Sequence, residues 1–143
     1  MAEGSDKTLR VELITPEGPL FADEALMVVV PGAAGEVGVL PRHMPLTARL
    51  KPGETRIQQS GDQWLSFATS EGFFNVGADA AVVLVEDAQA ATTIDAAAVQ
   101  TELEEARSRL AEAEGAGTEG DDLEMARRDV LYAESKLKVV GKN

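Results

Sequence analysis

Proline and glycine punctuate only the first part of this chain. All six Pro (Pro16, Pro19, Pro31, Pro41, Pro45 and Pro52) precede position 53, and nine of the 13 Gly precede position 78. After Ala88 there is no Pro, and Gly is confined to 115–120 and to position 141. Pro lacks an N–H and fixes φ, and Gly favours turns, so a stretch dense in both can only build short strands and turns. A long stretch free of them can build helices. The architecture is therefore expected to change at Ala88–Thr93, dividing the chain into residues 1–87 and 88–143.

The first part reads as antiparallel β. Leu9, Val11 and Leu13 alternate with Arg10 and Glu12, a period of two. Pro16-Glu17-Gly18 supplies a turn. Leu26–Val30 is a continuous apolar run, as expected of a strand buried on both faces. Thr55–Gln58 and Trp64–Ala68 flank Ser60-Gly61-Asp62, and Phe73–Val76 and Ala81–Val85 flank Gly77-Ala78-Asp79. Both are hairpin signals. Many short strands at this spacing predict a sandwich or a barrel. No segment between them is long enough and helical enough for a parallel α/β crossover. Trp64 and all four Phe (Phe21, Phe67, Phe73, Phe74) lie here, so this part is expected to carry its own core.

The second part reads as two helices. Ala96, Val99, Leu103, Ala106, Leu110 and Ala113 form one apolar stripe, and Leu123, Ala126, Val130, Ala133, Leu137 and Val140 form another. The spacing predicts helices over Ala96–Glu114 and Asp122–Val140, each about 28 Å long. Asp95 suits an N-cap, Ile94 can staple onto Val99, and Asp121 with Glu124 fits a capping box. Gly115–Gly120 must turn the chain, so an antiparallel helical hairpin is expected. Its stripes contain seven Leu or Val and are otherwise Ala. Such a thin seam predicts a hairpin that needs the β part or another protein to hold it.

Composition narrows the chemistry. Thirteen basic and 25 acidic side chains give a net charge of −12. A polyanion such as nucleic acid is then an unfavourable partner, and so is an anionic lipid surface. There is no Cys and a single His, His43, so thiolate chemistry and multi-histidine metal sites are excluded within one chain. No apolar run reaches the roughly 18 residues of a membrane span. Met1–Thr8 is polar and is expected to be neither a signal nor a transit peptide. The chain should therefore be soluble.

The local motifs favour structure over catalysis. Gly32–Gly38 is Gly-rich but lacks a following Lys-Ser/Thr, and acidic Glu36 would repel phosphate, so it is expected to be a structural loop. A catalytic triad would have to use His43, and no nucleophile elbow accompanies it. Glu86-Asp87 and Asp121-Asp122 are expected to be solvated or to cap helices. Arg127, Arg128, Lys136, Lys138 and Lys142 crowd the last helix of an acidic chain. Helix-dipole complementation and pairs such as Glu134–Lys138 would account for them. The alternative is a basic strip that meets an acidic protein surface.

Three stretches together resemble one family. They are Val30-Pro31-Gly32 with Gly35-Glu36-Val37-Gly38-Val39-Leu40-Pro41-Arg42-His43-Met44-Pro45-Leu46 and Leu50-Lys51-Pro52-Gly53; Glu71-Gly72-Phe73-Phe74-Asn75-Val76; and Val11–Leu20 with Thr15-Pro16-Glu17, followed by Phe21. With the Ile94-Asp95 helix opening, they resemble the epsilon subunit of rotary F-type ATP synthase over nearly the whole chain. The resemblance implies a β-sandwich of about ten antiparallel strands followed by an antiparallel α-helical hairpin. It implies a non-catalytic rotor subunit of the central stalk, which couples rotation of a proton-driven c-ring to ATP synthesis on the alpha–beta hexamer. It would lie at the cytoplasmic face of a bacterial inner membrane and touch the membrane only through the complex.

By residue match, Gly35, Glu36, Val37 and Gly38 would face the polar loops of the c-ring. Arg42, His43 and Met44 would lie near the gamma subunit. The resemblance also implies that the helical part is a candidate regulatory domain that extends along gamma and blocks ATP hydrolysis, with the alpha and beta subunits as further partners; the basic strip suggests that Arg127 and Arg128 then reach acidic carboxylates of a beta subunit. Some bacterial relatives bind ATP through Ile/Leu-Asp-x-x-Arg-Ala. Here Ala98 replaces that Arg, which removes a cationic phosphate partner, so no cofactor is expected. The alternatives from other classes are an acidic sandwich-and-hairpin adaptor unrelated to a rotor, and a small hydrolase using surface carboxylates. Co-purification with gamma separates the first from the rotor reading, and turnover by the isolated chain identifies the second.

Overall fold

The computed structural model describes residues 8–142; the reading of the polar N-terminus as no leader falls almost wholly outside them. Ten strands come first: β1 (Leu9–Thr15), β2 (Gly18–Ala25), β3 (Met27–Gly32), β4 (Gly35–Val39), β5 (Leu46–Leu50), β6 (Gly53–Ser60), β7 (Gln63–Thr69), β8 (Gly72–Val76), β9 (Ala80–Val85) and β10 (Ala88–Ala90). A 3-10 turn at Ala91–Thr93 leads to α1 (Ala96–Gly115) and α2 (Asp121–Val139).

The strands follow the order β10-β7-β6-β3-β5-β8-β9-β1-β2, with β4 added on β3. The path bends between β3 and β5, which share only the Gly32–Leu50 pair. The two halves then face each other. Their inward side chains meet in one cluster: Val28, Ile57 and Phe67 from one half, and Val11, Leu13, Phe74 and Val83 from the other. This is a β-sandwich followed by two helices, as the breaker pattern and the resemblance predicted. β1 shows the expected alternation, with Leu9, Val11 and Leu13 buried. Both hairpins fall where the turn signals placed them.

Four details depart from expectation. β1 and β9 pair in parallel, whereas every other pairing is antiparallel. The crossover between them is not a helix but the intervening strands β2–β8, a long-range event that no local pattern records. Gly35–Val39 is strand, not loop: Val37 and Val39 turn toward the core while glycines hide the alternation. Phe73 is 52% exposed, because Phe73 and Phe74 are neighbours on one strand and must point to opposite faces. Trp64 is half-buried and also outside the main cluster.

The helices pack on the outer face of β6 and β7. Ala68, Ala91, Ile94, Val99 and Val139 form this second cluster, with Tyr132, Leu137 and Val140 against it. Asp95 caps α1 as expected, accepting from the N–H groups of Ala97 and Ala98 at 3.0 and 3.3 Å. The expected capping box at α2 is absent. Its N-cap is Gly120, in a conformation with φ 75 and ψ −145, and Asp121 already lies inside the helix. Among the described residues no helix is long and apolar enough to cross a membrane.

Candidate functional site

The first candidate surface is the β3–β4 hairpin. Its turn is Ala33–Ala34, and the ladder runs Gly32↔Gly35, Pro31↔Glu36, Val30↔Val37 and Val29↔Gly38. One glycine of the predicted c-ring quartet is required by geometry, and a second is closely packed against a flexible side chain. Gly35 takes φ 139, a region that residues with a Cβ avoid. A Cβ on Gly38 would stand 2.9 Å from the Met27 methyl. Glu36 points outward, with its side chain 59% exposed, and Arg56 Nη2 donates to its two oxygens at 3.2 and 3.3 Å. The Arg56 guanidinium also stands 5.9 Å from the Trp64 ring centroid. Glu36 is therefore an oriented surface carboxylate. It also edges a cleft with Lys51 in the β5–β6 connection and Leu131 and Lys138 on α2.

The second surface is the Leu40–Pro45 connection at the other end of β4. β4 is five residues long, so the two surfaces are separated by about 13 Å of extended chain. Arg42 has φ 66, the one positive value at a described residue other than Gly. The turn is closed by the His43 N–H donating to the Leu40 carbonyl at 3.2 Å. His43 Nδ1 lies 2.7 Å from the Met44 carbonyl oxygen. That oxygen only accepts, so Nδ1 carries the proton. A backbone carbonyl thus occupies the place where a triad carboxylate would orient the ring. Met44 and Leu40 are 78% and 57% exposed.

The third surface is on α2. Arg127 Nη1 donates to Glu124 Oε2 at 2.8 Å on its own helix. Arg128 pairs with Glu71, at the start of β8. Two further members of the predicted basic strip are also engaged. Lys142 pairs with Glu54 at 3.0 Å, and Lys136 pairs with Glu102 of α1 at 2.8 Å. Glu134, expected to pair with Lys138, instead accepts from Arg107 across the hairpin at 3.4 Å. The strip is therefore largely an internal device of the docked hairpin. Asp87 accepts from its neighbour Ala88 N–H at 2.9 Å, and Asp121 and Asp122 are exposed in the first turn of α2.

Sequence reasoning missed the inner face of α2. Lys136 is 6% exposed, with its ammonium 4.6 Å from the Tyr132 ring centroid. The Tyr132 hydroxyl is buried without a well-formed hydrogen bond. Burial first, and then the Asp87 carboxylate beside it, push its ionisation far above the ordinary tyrosine range. The signal was present: Tyr132, Ser135 and Val139 make a second stripe, at spacings of three and four, beside the one that meets α1. Sequence reasoning also missed the exposed cross-strand pair Phe73–Leu84 on the outer sheet face, where Arg49 stands 5.9 Å from the Phe73 ring. Among the described residues no three His, Asp or Glu converge into a metal-ligand set.

The geometry is that of a β-sandwich with a helical hairpin packed on one outer face, and other proteins resemble it. The family model for the beta-sandwich domain of the ATP synthase delta/epsilon chain matches residues 8–91. The ATP synthase epsilon chain of Xanthomonas campestris pv. campestris (strain B100) is 37% identical over 135 residues, covering 93% of this chain and 92% of that protein. The epsilon chain of Desulforamulus reducens is 36% identical over 124 residues, covering 87% and 89%. A solved chain of the Euglena gracilis mitochondrial ATP synthase has the same fold, with a TM-score of 0.74 at 18% identity, over 90% of this chain and 79% of that one. The chain belongs to the delta/epsilon chain family of ATP synthases. Within that family its relatives are ATP synthase epsilon chains, and it is an epsilon-type subunit.

Proposed function

We propose that this chain is a non-catalytic coupling piece of the central stalk, with residues 1–87, completed by β10 (Ala88–Ala90) of the same sheet, as the coupling unit and the helices that follow as a regulatory unit. The sandwich binds the gamma subunit through Arg42, His43 and Met44 and presents Gly35–Gly38 to the polar loops of a c-ring. Proton flow turns the ring, gamma carries the torque, and ATP forms on the alpha–beta hexamer. The chain sits peripherally at the cytoplasmic face of a bacterial inner membrane and reaches the membrane only through the complex.

The observation that carries this reading is the Leu40–Pro45 connection. It holds exposed Leu40 and Met44 in a fixed, internally hydrogen-bonded turn and ties its one histidine to a backbone carbonyl. Exposed apolar side chains on a defined turn suit a permanent protein contact, and a histidine so tied is not arranged for proton transfer. Glu36, already oriented by Arg56, suits a polar loop with donors to offer.

A pull-down with gamma tests the reading, followed by ATPase assay of the complex with and without this chain. Retention on gamma, with Met44→Asp reducing it at least tenfold, is the expected result. Free passage of the chain past gamma would contradict it. Intrinsic turnover lost in His43→Ala would favour the hydrolase instead.

A further inference from the structure

The last turn of the chain bends back onto the sheet. α2 ends at Val139, Val140 is extended (φ −55, ψ 134), and Gly141 takes φ 87. Left-handed glycine is the usual way to end a helix and redirect the chain. Two hydrogen bonds close the turn, Val140 N–H to Lys136 O and Lys142 N–H to Val139 O, both 3.0 Å. Lys142 Nζ thereby comes 3.0 Å from Glu54 Oε2.

The partners of this pair are unequal. The Glu54 side chain is 6% exposed, and that of Lys142 is 46% exposed. Glu54 lies on β6 directly opposite Ala68 of β7, and Ala68 packs with Val99 and Val139 beneath the helices. The docked hairpin therefore covers this face. Among the described residues, Lys142 is the one ion-pair partner of Glu54. An ionised carboxylate taken out of water is costly unless it is paired. Docking buries Glu54 and delivers its countercharge in the same movement, whereas undocking returns the carboxylate to water.

We propose that Glu54 and Lys142 form a latch that makes docking of the hairpin conditional on an intact, cationic C-terminal turn. With Lys142 in place, docking costs no uncompensated charge. With Lys142 neutralised or trimmed away, every docked hairpin buries the Glu54 carboxylate without its ion-pair partner, leaving, among the described residues, only Lys51 and Lys138 elsewhere in the adjoining cleft, and the equilibrium moves toward release. The Arg128–Glu71 pair is a second tie, but both of its side chains are a third or more exposed, so it contributes less. The inference goes beyond the rotor reading and applies to the chain by itself, so its outcome is independent of gamma binding.

The test uses the full chain with Ser60→Cys, at the tip of the β6–β7 turn, and Glu119→Cys, in the loop between the helices. The natural chain has no cysteine, so paired spin labels there report the sheet-to-hairpin distance alone. In a separate variant, the rate of thiol labelling at Val139→Cys, a position fully buried in the docked state, reports the same equilibrium when the undocked fraction is small. Lys142→Ala is expected to raise the undocked fraction about tenfold, the scale of leaving one buried polar group unpaired. Adding Glu54→Gln to Lys142→Ala is expected to return most of that increase. A role for Lys142 in packing alone predicts no such rescue. An undocked fraction unchanged by Lys142→Ala, or unchanged on adding Glu54→Gln, overturns the latch.

Discussion

Thr55 and Thr69 hold their hydroxyl oxygens 2.9 Å apart in the sandwich, both fully buried, and Thr69 also reaches the Gly53 carbonyl at 3.4 Å. Removing one partner strands the other, whereas removing both strands neither. Thr69→Val alone should cost about 1–3 kcal/mol in urea unfolding, and Thr55→Val/Thr69→Val less than the single change. Lys136 and Glu102 pose the same asymmetry with charge, because the Lys136 side chain is 8% exposed and that of Glu102 is 48% exposed. Glu102→Ala leaves a buried ammonium unpaired and should destabilise by about 1–3 kcal/mol. Lys136→Met removes the buried charge and keeps the stem packed on Tyr132, so it should fall within about 1 kcal/mol of the parent. An equal loss for both would contradict this account. Neither pair was legible in the sequence. A Thr within a β run reads as a β-branched filler, and Lys136 reads as one of several basic residues complementing the helix dipole or forming a basic strip, because one helical stripe alone does not show that it faces inward.

The two helices differ in how they begin. Asp95 donates nothing and accepts from two N–H groups at the start of α1, while α2 starts on Gly120 with no side-chain cap. Asp95→Ala should therefore cost about 0.5–2 kcal/mol in thermal unfolding. Asp121→Ala loses only a favourable dipole contact of about 0.3–1 kcal/mol. The α1 cap was readable because the Asp sits immediately before a clean apolar stripe. The α2 start was not, because Gly120 supplies a backbone conformation that leaves no side-chain signature. β4 was hidden similarly, its alternation thinned by glycine. For α2 as a regulatory element, Arg127 and Arg128 must exchange Glu124 and Glu71 for carboxylates of a beta subunit. On the proposed braking role, Arg127→Ala/Arg128→Ala raises ATP hydrolysis by the complex several-fold and leaves synthesis nearly unchanged. Unchanged hydrolysis in a steady-state ATPase assay would leave the hairpin without that role.

At the scale of the whole molecule, the division into sandwich and hairpin followed from where Pro and Gly stop. The strand order did not. The bend between β3 and β5 and the parallel β1–β9 pair join residues far apart in the chain, and local periodicity carries no record of which strands meet. The proposed contact surfaces were reached through resemblance, since Glu36 and His43 stand in no catalytic pattern. The main core draws on strands alone, from Leu9 to Ala88, so the sandwich should fold without the helices if β10 is kept. The most direct measurement is proton-driven ATP synthesis by membrane vesicles depleted of this subunit and reconstituted with either the full chain or a chain ending at Thr93. Both should bind gamma and restore coupled synthesis to a similar level. A Thr93-terminated chain that folds but neither binds gamma nor restores synthesis would contradict the claim that the sandwich is the coupling unit.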